Sequence, residues 1–141
     1  MEKLVWKEEF NICLKEMDES REFLINHLGS LLAKIAEKPS ANHIEALNEL
    51  IDGFRIHFGK EEKLLVKYKY PEADIHKKEH KSCLRSLVKL RRQLSEEAID
   101  ENIELINIII ENYSTHLDES DPCYAPFIRL KKKIEFDNIK K

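Results

Sequence analysis

Apolar residues recur at steps of three and four in four separate stretches of the chain. The first runs through Met17, Leu24, Leu28, Leu31 and Ile35, with Arg21 in the same phase. The second carries Leu47, Leu50 and Phe54, then His57, Glu61 and Leu64. The third opens with His76 and His80 and continues through Cys83, Leu87, Leu90 and Leu94. The fourth shows Ile99, Ile103, Ile106, Ile110 and Tyr113 and closes on His116. Steps of this size gather each set on one face of an α-helix. Breaks separate the four. Pro39 and Ser40 end the first helix, and Ser40 or Asn42 is placed to cap the second. Tyr70 and Pro71 divide the second from the third, and Ser95 is the expected N-cap of the fourth. Asp121 should end the fourth helix, because a residue before proline is pushed out of the helical region. Short connections between long helices favour antiparallel neighbours. The pattern therefore predicts an all-α fold, an up-down-up-down antiparallel four-helix bundle. Residues 1–16 read as an N-terminal arm with Trp6 and Phe10, residues 17–121 as the bundle, and residues 122–141 as a C-terminal segment. That segment should hold a short helix over 122–136, anchored by Phe127, Leu130 and Ile134. Together they make one domain, 1–141.

The interruptions of the stripes carry the chemistry. Arg21, His57, Glu61, His76 and His80 occupy positions that should face inwards; His116 ends the fourth stripe, and Asp121 lies five residues beyond it. Unpaired polar groups are costly to bury, so these residues should satisfy one another or bind something. Residues on neighbouring antiparallel helices lie level when they are equally far from the turn between them. The midpoint of Arg21 and His57 is Pro39, that of Glu61 and His76 falls between Tyr68 and Lys69, and that of His80 and His116 is Ala98. All three midpoints fall in or beside a turn, so the polar residues share one layer near one end of the bundle. His57 and Glu61 are one helical turn apart, as are His76 and His80, and such pairs can grip a metal from one side. Four imidazoles with two carboxylates exceed the four ligands of a usual zinc site. They suit two ions bridged by carboxylates, with iron favoured among the redox metals and manganese the alternative.

Composition narrows the setting. Charged residues make up 36% and hydrophobic residues 42% of 141 positions, with only three Gly, as expected of long amphipathic helices. The net charge of −3 is spread along the chain, which argues against nucleic acid or an anionic membrane as partner. Cys13, Cys83 and Cys123 show no paired spacing, and charge interrupts the N-terminus at once, so a reduced, cytoplasmic, soluble protein is expected. Cys83 reads as a small core residue and Tyr113 as packing near the site. His27 and His43 lie off the stripes and should sit at the surface.

With these residues assembled, the sequence resembles the hemerythrins, in particular their single-domain bacterial form. The resemblance rests on His57, Glu61 and Glu62, on Tyr70 and Pro71, on His76 and His80, and on the stretch from His116 to Asp121. Trp6 and the segment from Met17 to Glu19 also match, so it covers about residues 4–130. It implies two non-haem iron ions that bind molecular oxygen for carriage, storage or delivery. On that reading His76, His80 and His116 hold one iron, His57 belongs to the other, and Glu61 and Asp121 bridge them. Dioxygen is then the partner, a monomer the simplest assembly, and a binding protein rather than an enzyme the leading function. The alternatives are a sensor of oxygen, nitric oxide or redox state, and a peroxide-reactive enzyme. One position departs from the family: Arg21 stands where the first helix should supply a histidine. His27 cannot replace it, being about 240° further round the helix, and a protonated guanidinium does not ligate metals. Three arrangements stay open. Water, Asp18 or Glu22 fills the gap; the second iron is held weakly or lost; or Arg21 sets its charge against Glu61, Asp121 or a bound anion. In the plainest case the side chain simply reaches out to solvent.

Overall fold

The computed structural model of the protein describes residues 4–96 and 99–140. Five helices carry the chain: α1 (Lys15–Glu37), α2 (Ile44–Lys67), α3 (Ala73–Ser95), α4 (Ile99–Thr115) and α5 (Asp121–Lys140). Helix α1 packs on α2, α2 on α3, α3 on α4, and α4 returns to α1, which closes an all-α four-helix bundle. Leu28, Ile35, Leu47, Ile51, Leu87, Leu90, Ile106 and Ile109 fill its core with no exposed surface. The inward face of α4 differs from expectation. Ile103 is exposed, and Asn102, Leu105, Ile106, Ile109 and Ile110 turn inwards instead. The run Ile106–Ile110, four isoleucines in five positions, allows two helical phases, and contact with α1 and α3 selects the second. The side chain of Ile99 lies outside the described residues.

The turns show how each helix stops. After α2, Lys69 adopts a left-handed φ of 57°, Tyr70 N–H bonds Leu65 C=O and Lys69 N–H bonds Val66 C=O. This is a Schellman cap, and Pro71 prevents its continuation. Ser40 Oγ accepts from Asn42 N–H and caps the short 3-10 turn Ala41–His43 that leads into α2. Ser95 does not cap α4. It ends α3, where its hydroxyl donates to Arg92 C=O, and the residues just before α4 lie outside the described residues.

The C-terminal helix departs most from expectation. No break occurs at Asp121. The chain widens into a π turn over His116–Ser120, in which Asp121 N–H bonds His116 C=O, and continues as the 20-residue α5. Pro122 has no N–H, and in a regular α-helix its ring would collide with the carbonyl of Asp118. One widened turn removes that collision, so the proline reshapes the helix without ending it. Leu130 and Ile134 are exposed and do not anchor α5. Tyr124, Ala125 and Ile128 do, packed with Leu65, Ile12 and Leu14 in a second apolar cluster.

The arm is ordered by polar contacts. Asp18 accepts from Ile12 N–H and Leu14 N–H, and Asn26 Oδ1 accepts from Trp6 N–H. Leu4 lies so close to α1 that a Cβ on Gly29 would overlap its carbonyl. A Gly29→Ala variant should therefore lose about 1–3 kcal/mol and release the arm. Thermal melting and limited proteolysis near Leu4 would detect this, and an unchanged melt with a protected arm would contradict it. Among the described residues, no helix is long and apolar enough to cross a membrane.

Candidate metal centre

Between the bundle core and the second apolar cluster lies a layer of buried polar side chains. Glu61, His76, His80, His116 and Asp121 each offer one donor atom, and these atoms all lie within 4.8 Å of one another. Helix α2 contributes Glu61, and α3 presents His76 and His80 one turn apart. The π turn supplies His116, and the first residue of α5 supplies Asp121. Five residues along an α-helix rotate the side chain by about 140°. The widened turn brings Asp121 back beside His116, with Nε2 to Oδ1 at 3.0 Å.

The two carboxylates divide their oxygens. Glu61 Oε1 lies 2.7 Å from His76 Nε2 and 3.1 Å from His80 Nε2. Asp121 Oδ1 lies 3.1 Å from His76 Nε2 and 3.0 Å from His116 Nε2. On the other side, Glu61 Oε2 lies 3.1 Å from His57 Nε2, and Asp121 Oδ2 accepts from Arg21 Nε at 3.0 Å. Thus His57 reaches the layer only through Glu61 and stands apart from the five-residue cluster.

Arg21 faces the site and not the solvent, with 2% of its surface exposed. Its Nη1 donates to Phe10 C=O at 2.7 Å and to Asp18 Oδ1 at 2.9 Å, and Trp6 covers the guanidinium at 5.1 Å. Neighbouring groups orient the imidazoles. His80 Nδ1 pairs with Glu62 Oε2 at 3.0 Å, and Phe58 stacks on the His80 ring at 3.9 Å. Glu79 lies 3.7 Å from His116 Nδ1 and accepts from Ser120 Oγ at 2.6 Å. The residue pattern gave no role to Glu79 or Tyr124. Glu79 had a signal, three residues after His76 on the same helix face. Tyr124 had none until the π turn placed it over the site. A cavity of about 130 Å³ opens from the surface to His76, rimmed by Glu72, Glu79 and Glu119.

Several of these atoms have no hydrogen-bond partner. Glu61 Oε2, Asp121 Oδ1 and both nitrogens of His116 are buried and unsatisfied. His116 Nε2 and Asp121 Oδ1 are close, yet they are not aligned to bond each other. Buried lone pairs left this way are costly. A shared cation among the imidazoles would satisfy His116 Nε2 and Asp121 Oδ1, while Glu61 Oε2 lies on the His57 side and His116 Nδ1 faces Glu79. Three imidazoles and two carboxylates form a donor set suited to iron or manganese. Among the described residues, the opposite side offers His57, Glu61 Oε2 and Asp18 around the Arg21 guanidinium, which do not make a second such set. Cys83, in the core beside His80, is not one of the converging donors. Burial and the charges of Glu79 and Asp121 push its thiol up to about 12.

Charge explains how the layer holds together. Burial works against the Glu61 carboxylate, but the imidazoles of His57, His76 and His80 beside it outweigh burial and hold its pKa well below the ordinary value. Burial disfavours charge on His76, yet Asp121 and Glu61 raise it to about 9. Burial opposes charge on His116 too, and Asp121 and Glu79 raise it to about 10. Both imidazoles therefore hold protons well above their ordinary range, and a metal must displace them. Metal affinity should rise with pH up to about 9, by about tenfold per pH unit for each of the two protons. The same raised values stabilise the metal-free fold fully below about pH 6.5, a contribution lost as pH passes through 9 and 10. Chelator competition at several pH values checks the first trend and melting with chelator the second; a pH-independent affinity would contradict the assignment.

Comparison with known proteins places this geometry. Residues 15–128 match the model of the hemerythrin HHE cation binding domain. The chain is similar to a bacteriohemerythrin of Stenotrophomonas maltophilia, 27% identical over 128 residues, covering 89% of this chain and 82% of that protein. A bacteriohemerythrin of Pseudomonas aeruginosa is 28% identical over 131 residues, 92% of this chain and 84% of its own length. A myohemerythrin of Theromyzon tessulatum is 28% identical over 94 residues, 67% of this chain and 73% of that one.

Proposed function

Since the chain belongs to the hemerythrin family, we propose that it is a non-haem iron protein whose physiological ligand is molecular oxygen. The observation that supports this most directly is the convergence of five buried donors from Glu61, His76, His80, His116 and Asp121. Iron held by these residues would supply redox chemistry and affinity for a small oxygen ligand. The chain's own residues do the rest. Glu62 and Phe58 fix the plane of His80. Tyr124 lies edge-on to His76, Phe58 packs against His80 and His116, and Phe54 and Tyr113 extend this buried apolar wall, which keeps bulk water from the layer. The cavity beside His76 supplies a route from the surface.

The test is oxygen uptake by the reduced, iron-loaded protein in a sealed electrode cell. Uptake in proportion to chain concentration, reversed under argon, supports the reading. Oxygen consumption that argon does not reverse would reject it. A second reading, a sensor, is favoured by one contact: Arg21 links Asp121 directly to the arm through Phe10 C=O. Hydrogen exchange of residues 4–14 that differs between oxygenated and oxygen-free protein supports sensing. Identical exchange in both states counts against it.

A further inference from the structure

We infer that this chain binds a single metal ion, on the side facing His76, His80 and His116, and that the Arg21 guanidinium takes the place of a second ion. The inference rests on the proposed iron-binding function and fixes its stoichiometry.

Three observations carry it. First, a bridging carboxylate must offer one oxygen to each of two ions. Asp121 Oδ1 faces His76 and His116, but Oδ2 already accepts a charged hydrogen bond from Arg21 Nε at 3.0 Å. Such bonds are the strong, geometrically specific ones. A cation at Oδ2 would have to expel the guanidinium or share its space. Secondly, Arg21 cannot easily leave. It is held by Phe10 C=O, Asp18 and the Trp6 ring, and its side chain is 2% exposed. Arginine stays protonated in proteins, so it contributes a permanent positive charge and no lone pair. Among the described residues, His57 is the imidazole on that side, with Nε2 3.1 Å from Glu61 Oε2.

Thirdly, charge balances for one ion. The carboxylates of Glu61, Asp121 and Asp18 meet the Arg21 guanidinium directly or through the layer. A single divalent ion with that guanidinium neutralises all three, the imidazoles being neutral when they ligate. Glu62 and Glu79, against the outer nitrogens of His80 and His116, are partly exposed and keep their own hydration. A second divalent ion would lie beside the fixed guanidinium charge, which already occupies Asp121 Oδ2. Arg21 is thus a positioning residue. It holds Asp121 in the orientation that presents Oδ1 to the three imidazoles, as the second ion would.

The experiment is iron analysis of the full-length protein loaded with ferrous iron and then oxidised, combined with electron paramagnetic resonance. One iron per chain is expected, with the strong signal of an isolated high-spin ferric ion. A pair of ferric ions coupled through a bridge gives no such signal. Arg21→His should raise the content to two irons per chain and remove the signal. Arg21→Lys should keep one iron and keep it. Two irons per wild-type chain, or a silent wild-type spectrum at full loading, overturns the inference and leaves the iron-binding function standing. Absence of any bound iron overturns both. If Arg21→His does not fold, wild-type stoichiometry and spectrum decide the matter.

Discussion

Replacement of Glu61 by alanine is expected to lower metal affinity by more than about 100-fold, beyond the loss typical of groups that merely orient a ligand. Glu61 has no exposed surface and meets His57, His76 and His80 at once. Its removal takes a donor from the centre and leaves three imidazoles without their shared acceptor. The metal-free fold should suffer as well, because breaking a buried charged pair costs about 3–5 kcal/mol. Glu61→Gln separates these effects. It keeps the shape and one carbonyl acceptor but not the charge, so it should retain more of the stability than of the affinity. Competition against a chromophoric chelator measures affinity, and melting with excess chelator measures the fold. Full metal content in Glu61→Ala would show that the centre does not depend on this carboxylate.

Periodicity placed the four helices and, through equal distances from the turns, put the polar residues in one layer. That inference works because antiparallel neighbours share a turn, so sequence distance becomes height in the bundle. It works less well for α4, whose adjacent isoleucines satisfy two helical phases, and packing chose the phase that exposes Ile103. It does not work at Asp121. The rule that proline pushes its predecessor out of the helix assumes a choice between helix and no helix, and the π turn is a third outcome. That outcome matters to the site, because the widened turn sets Asp121 beside His116. The direction taken by Arg21 was not legible either. A long cationic side chain near a bundle end can reach water along its aliphatic stem. What turns it inwards is the arm, through Phe10 C=O and the Trp6 ring, and no α-helical period reports on an arm whose one helical element is the short 3-10 turn Glu8–Phe10.

Arg21→Met should therefore be the most damaging single change on α1, destabilising the metal-free protein by about 3–5 kcal/mol. Methionine keeps much of the volume and the flexible stem, so the loss reports on charge and hydrogen bonds rather than on a cavity. Asp121 Oδ2 and Phe10 C=O lose their partner together, and Asp18 Oδ1 keeps only Ile12 N–H. An exposed arginine with similar ion pairs would contribute less than about 1 kcal/mol, so denaturant unfolding distinguishes the two situations directly. The arm should loosen in step, seen as faster hydrogen exchange at Phe10 and Ile12. Metal provides the internal control. An ion among the three imidazoles places positive charge next to Asp121, which in the variant has lost its cation. Added iron should therefore stabilise Arg21→Met by a larger increment than wild type, although the variant starts lower. If the increments are equal, Arg21 and the metal do not share Asp121, and the guanidinium serves the arm alone.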